Sequence, residues 1–196
     1  MDMDIIKVDK RALSVKPKKL RREGWVPGVV FGKSLEESIP VQMKEQEARK
    51  LIREKREGSK IELEIEGDRY PVQIKEKVCS MLTNEIEHIS FQALKRGERV
   101  NSVIHIVLVN DDKISGILER MLLEIPYSSL PRDMIDTITI DLDGVKPGTV
   151  VMVRDIPELM SDKLELKVDP ESIVYRINER RHATAATESG EAETEV

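Results

Sequence analysis

The chain has 196 residues, 39% of them apolar and 35% charged, with only 3% aromatic, so its cores must be built from Ile, Val, Leu and Met. No run approaches the roughly 18 apolar residues of a membrane helix, and one cysteine, Cys79, excludes an internal disulfide and a cysteine-based zinc cage. The net charge of −5 argues against a polyanion partner only on average: residues 1–100 carry +4 and the remainder −9.

The first residues, MDMDIIKVDK, place acids where a signal peptide carries bases and have no apolar stretch, so a cytoplasmic protein is expected. Residues 4–9 open a sheet and 10–16 form an irregular basic loop. Pro17 suits a first helical position, and KKLRRE follows as a short helix that stops at Gly24. Strands are predicted at 27–32 and 38–43. Residues 44–58 form a surface helix, with Ala48, Leu51 and Ile52 at helical spacing and Gly58 as its end.

From 60 to 78, Ile61, Leu63 and Ile65 alternate with Glu62, Glu64 and Glu66. The pattern turns at Gly67-Asp68 and resumes through Tyr70, Val72 and Ile74, which predicts a hairpin with one wet face. Residues 85–94 add a strand.

A second unit begins near Lys95-Arg96-Gly97, and 99–109 is a long β-branched strand. Residues 117–131 have the composition of a helix, whereas 137–156 reads as strand, turn, strand, and LELKV and SIVYRI close the unit. From about Glu179 the chain is polar and ends acidic, so a disordered tail is expected. The fold class is mainly β with a few helices. An antiparallel β-barrel over 1–94 is followed by a β-rich domain over 95–179 and an acidic tail over 180–196.

Catalytic signatures are missing. The segment from Gly28 to Ser34 resembles a phosphate-binding loop, but three residues rather than four separate its glycines, so a strand ending in a turn is the better reading. His88, His105 and His182 stand apart from one another without metal-ligand spacing. His105, inside a β-branched strand, reads as a satisfied structural residue, His182 falls in the tail, and His88 is a candidate to face a ligand. Cys79 has no partner base nearby and reads as inert packing. No enzyme, cofactor or metal is expected.

The informative segment is 10–33, with eight basic residues (Lys10, Arg11, Lys16, Lys18, Lys19, Arg21, Arg22 and Lys33) against the single acid Glu23. Local fields matter to a polyanion because they decay over about 8 Å at physiological salt. Gly24, Gly28 and Gly32 would let a partner approach the backbone closely, and a segment this polar is expected to order on binding. Trp25, the sole tryptophan, is placed to stack on a partner or to anchor the loop.

The run from Leu20 to Gly32, LRREGWVPGVVFG, resembles the pattern LRR-x-G-x-x-P-[AG]-V-[VM]-Y-G of the bacterial large-subunit ribosomal protein twenty-five family, in its long two-domain form called Ctc or general stress protein. Arg11, the run Glu87-His88-Ile89-Ser90-Phe91, Gly116-Ile117-Leu118, Pro131-Arg132-Asp133, Ile140-Asp141-Leu142 and Val153-Arg154-Asp155-Ile156 extend the resemblance in order over about 1–177.

The resemblance implies a barrel that binds the loop E region of 5S ribosomal RNA within the large ribosomal subunit, in a monomer away from the ribosome and with no membrane. By position, Arg11, Arg21 and Arg22 would meet phosphates and sugars, Lys16, Lys18 and Lys19 would add charge, and Phe31, His88 and Ser90 would lie on the barrel face. Two departures stand out: the family's Tyr is Phe31, and its Asp two residues after the histidine is Ser90. They raise the alternative of a stress-response paralogue that keeps the fold but binds 5S RNA weakly or takes a protein partner.

Overall fold

The structure, a computed structural model, describes residues 4–179. The expected acidic tail and His182 lie outside the described residues. Six strands close the expected barrel: β1 (Ile5–Lys10), β2 (Trp25–Phe31), β3 (Ile39–Lys44), β4 (Lys60–Ile65), β5 (Asp68–Cys79) and β6 (Ile86–Ala93). Four seams are antiparallel, while β1 with β4 and β2 with β6 run parallel. Val30, Val41, Ile61, Leu63, Val72, Ile74, Ile89 and Phe91 fill the interior with no exposed surface.

The β4–β5 hairpin follows the sequence pattern, since Ile61, Leu63 and Ile65 are buried and the intervening glutamates are not. Its two-residue turn is Glu66-Gly67, one position earlier than predicted. Ile65 pairs with Asp68, and both turn residues have positive φ, 52° and 98°, which suits the right-handed twist of a hairpin.

Two helices accompany the barrel. α1 (Pro17–Arg22) begins at Pro17 as predicted, and α2 (Glu45–Glu54) buries Ala48 and Leu51. α2 stops at Glu54 rather than Gly58, because Lys55 is already extended and residues 56–59 are committed to tertiary contacts. Burial also corrects the reading of Cys79, which is exposed rather than packed.

Beyond residue 99 come β7 (Val100–Val109), β8 (Gly116–Arg120), β9 (Glu124–Ser129), β10 (Thr137–Asp141), β11 (Val150–Met152), β12 (Glu165–Leu166) and β13 (Ile173–Glu179). They form two sheets, in the orders β10-β7-β9-β12 and β11-β13-β8. Between them lies a core that includes Ile104, Ile125, Tyr127, Leu142, Val153 and Val174.

Residues 117–131, helical by composition, are the strands β8 and β9. Pro126 has no N–H for a helix interior, and alternate residues Ile125 and Tyr127 are fully buried against β7, which repays the strand. The strand–turn–strand reading of 137–156 holds locally, but β10 joins β7 in one sheet and β11 joins β13 in the other.

Polar contacts join the barrel to β7 and the segment after β9. His105 is buried, with Nε2 2.8 Å from the Glu57 carbonyl. A carbonyl only accepts, so that nitrogen carries the proton. Gln73 donates to the Asn101 carbonyl at 3.0 Å and to Gln92 at 2.9 Å, and Lys60 donates to the Pro131 carbonyl at 3.2 Å. His105 is thus the satisfied structural residue that the sequence suggests.

Candidate nucleic-acid interface

Side chains alternate across β2. Val26 and Val30 point into the barrel, so Trp25, Pro27, Val29 and Phe31 face out. In β6, Ile89, Phe91 and Ala93 are buried, so His88, Ser90 and Gln92 face out. The parallel register sets Val29 opposite Ser90 and Phe31 opposite Gln92. On the far side of β2, Val29 pairs with Pro40, whose carbonyl accepts the Arg11 backbone N–H at 2.9 Å. Four neighbouring chain segments therefore bring Arg11, Val29 and Ser90 into one outward row, with Phe31 and His88 in the adjoining rows.

Arg11 is half-buried. One guanidinium nitrogen, Nη2, donates to the Val15 carbonyl at 3.1 Å and pins the basic loop, while Nε is buried with no hydrogen-bond partner among the described residues. A buried donor left without a partner costs about 1–3 kcal/mol.

His88 is held below its ordinary pKa. Burial is the largest cause, the Glu76 carboxylate opposes it, the Arg11 guanidinium lowers it further, and a hydrogen bond to the Pro27 backbone opposes again. The face therefore presents a neutral imidazole beside a permanent cation.

The basic arm sits at one end of this face. With six residues, α1 is too short to persist alone, and it is held by buried Leu20 and by Arg21, which donates from Nη1 to the Glu87 carbonyl at 3.2 Å. Lys16, Lys18, Lys19 and Arg22 are left exposed. Among the described residues, the only ion pair of these four links Lys19 to Glu23 at 3.8 Å, and both side chains are too exposed for it to hold them. The arm is thus ordered by contacts within the chain, contrary to the expectation that it orders only on binding. Trp25 is half-buried and lines a small depression with Arg21, Glu45, Glu85 and Ile86, which favours the anchoring role.

The glycines need a second correction. A Cβ on Gly28 would lie 2.8 Å from the Ile89 carbonyl oxygen and 3.2 Å from Val41, so this glycine lets β2 and β6 approach inside the barrel. Gly32 packs on Ala93, and of the three glycines in the basic segment Gly24 alone opens to space. The segment that resembles a phosphate-binding loop is strand and turn.

Sequence reasoning missed the half-buried Val29 and Pro40 on the outer face, together with Gln42, which pairs with the buried Pro27. The period-two pattern of β2 was the available signal. It also missed Arg21's tie to Glu87, which no local pattern contains.

These features define a two-unit, mainly β protein with a polyvalent basic face. Among the described residues no group of His, Cys, Asp and Glu is placed to hold a metal ion, and no helix is long and apolar enough to cross a membrane. The Ribosomal L25p family pattern matches residues 6–91, and that of the ribosomal protein TL5 C-terminal domain matches 99–181.

Relatives called large ribosomal subunit protein bL25 match along most of the chain. The one from Carboxydothermus hydrogenoformans is 30% identical over 185 residues, which cover 89% of this chain and 91% of the relative. That from Thermosipho africanus is 27% identical, with 90% and 84% covered, and that from Bacillus velezensis 26%, with 82% and 79% covered. The chain belongs to the bL25 family of large ribosomal subunit proteins, in its long two-domain form. It is a structural constituent of the ribosome and not an enzyme.

Proposed function

We propose that the chain binds the loop E region of 5S ribosomal RNA with the outer face of β2 and β6 and the adjoining basic arm, and that it does so in the cytoplasm as a monomer joining the large subunit. The observation that carries this reading is the outward row of Arg11, Val29 and Ser90, with His88 beside Arg11, on a face flanked by exposed lysines and arginines. A-form RNA offers 2′-hydroxyls, phosphates and base edges in a wide, shallow minor groove, which a sheet face with a basic arm can follow. Arg11, Arg21 and Arg22 take phosphates and sugars, Lys16, Lys18 and Lys19 supply field, and Phe31, His88 and Ser90 contact the groove. Residues 1–94 act as the RNA-binding domain, and 95–179 as a second, β-rich domain.

The test is binding of a loop E fragment across a salt series beside the Arg21→Ala/Arg22→Ala variant. Two lost phosphate contacts should lower affinity and reduce the salt slope by about 2. Because Arg21 also supports α1, Arg22→Ala alone separates contact from support, with an expected slope change of about 1. No preference for the fragment over a control hairpin would overturn the proposal.

Phe31 and Ser90 favour a second reading, a stress-response paralogue with weakened 5S binding. The first lacks a hydroxyl and the second a carboxylate where the resemblance has them.

A further inference from the structure

The linker between the units and the turn after β9 enclose a groove of about 480 Å³, lined by Arg96, Gly97, Leu130, Pro131 and Arg132. Its size lies within the range that admits a small organic group. The wall formed by Leu130 and Pro131 is apolar and fixed, for Asp133 N donates to the Leu130 carbonyl at 2.9 Å and Lys60 Nζ to the Pro131 carbonyl at 3.2 Å.

The rim is cationic. Arg96 is exposed, and among the described residues its side chain has neither an ion pair nor a hydrogen bond. Arg132 is 79% exposed, and its 3.1 Å pair with Asp133 is shared with Lys163 at 3.7 Å, so it can change partner at little cost. The junction is therefore a basic site next to a unit that is acidic as a whole.

An apolar wall with two guanidinium groups at its mouth suits an unstacked nucleotide. The base lies flat on the wall or under a guanidinium plane, and its phosphate is neutralised at the rim. The position is also suitable. β6 carries His88 and Ser90 outward and leads directly to Lys95; seven residues at about 3.3 Å each place the linker about 23 Å from His88. That is within reach of an RNA lying along the barrel face.

We propose that this groove is a second RNA site, which receives a single looped-out or terminal nucleotide against Leu130 and Pro131, with its phosphate between Arg96 and Arg132. The proposal rests on the RNA-binding reading above, because it takes the nucleotide from the RNA held on the barrel.

The experiment uses the full chain and a short single-stranded oligouridylate carrying one 4-thiouridine. Affinity is read by anisotropy, and the ultraviolet crosslink is mapped by peptide mass spectrometry. A loop E duplex is titrated in parallel, and oligoglutamate serves as competitor. The expected result is a crosslink within 94–99 or 130–132, with affinity reduced about tenfold in Arg96→Ala/Arg132→Ala. The Arg21→Ala/Arg22→Ala variant should keep that crosslink while losing the duplex.

A crosslink confined to the basic arm, or unchanged binding in Arg96→Ala/Arg132→Ala, overturns the second site. Competition by oligoglutamate as strong as by RNA overturns it in favour of an acidic protein partner. A groove crosslink without any duplex binding supports the site and refutes the 5S reading alone.

Discussion

Replacing Gly58 by alanine should loosen the contact between the barrel and β7 while leaving both cores intact. Gly58 has φ of +84°, where an L-residue costs about 1–2 kcal/mol. A Cβ there would lie 2.6 Å from Ser102 Oγ and 2.8 Å from the Val103 carbonyl oxygen. The serine can rotate away, but the carbonyl cannot, because β7 is fixed by its pairing with β9, Ser102 to Tyr127 and Val103 to Pro126. The Gly58 backbone is equally fixed by its 2.8 Å hydrogen bond to the Ile74 carbonyl.

Relief therefore requires the barrel and β7 to part by a few tenths of an ångström. That strains the 2.8 Å bond between His105 and Glu57, and an orphaned buried group costs about 1–3 kcal/mol. Together the terms reach about 2–5 kcal/mol, a large share of the roughly 5–15 kcal/mol that stabilises a domain. Gly67→Ala is the internal control, because φ there is +98° but nothing lies within 4 Å of the added carbon, so only the backbone cost of about 1–2 kcal/mol applies. Urea denaturation gives both values, and hydrogen exchange at Ser102 to His105 reports separation of the units. If Gly58→Ala lost no more stability than Gly67→Ala and exchange at β7 were unchanged, the steric reasoning would be refuted.

Tyr127→Phe should cost about 1–3 kcal/mol in chemical denaturation. The fully buried phenol donates to the Ile135 carbonyl and accepts the Ile135 N–H, each at 2.9 Å, so both backbone groups would be stranded. His88 has a folded-state pKa below its ordinary value, so the unfolded chain binds more protons, and the stability held above about pH 6.5 declines as pH falls through the folded value. RNA phosphate beside the ring would reverse that shift. Loop E affinity should then rise between about pH 7.5 and pH 6, and His88→Gln should remove the rise in a binding titration. Phe31→Tyr/Ser90→Asp should strengthen loop E binding, each restored group contributing about 1–3 kcal/mol if paired in the complex. Unchanged affinity in that double variant would show that these two positions are not where binding is weakened.

Features whose causes lie within a few residues were legible in the amino-acid sequence. The alternation of Ile61, Leu63 and Ile65 specifies one buried face, Pro17 starts α1, and Lys16 to Arg22 form a basic arm in any fold that leaves them exposed. Tertiary structure decided the rest. Residues 117–131 carry enough Leu, Met and Glu for a helix, yet they are strands because β7 and β13 offer edges to pair with and a core that buries Ile125 and Tyr127. α2 ends four residues short of Gly58 because Glu57 and Gly58 are needed by His105 and Ser102, more than 40 positions further along the chain.

The candidate site divides in the same way. Its charge is local and legible in the sequence. The row of Arg11, Val29 and Ser90 exists only once β1, β3, β2 and β6 are in register, and the unpartnered Arg11 nitrogen only once they have packed. Periodicity records which side of a strand faces the core. It carries no record of which distant strand lies alongside, because that is settled by the combined burial and hydrogen bonding of segments far apart in the chain.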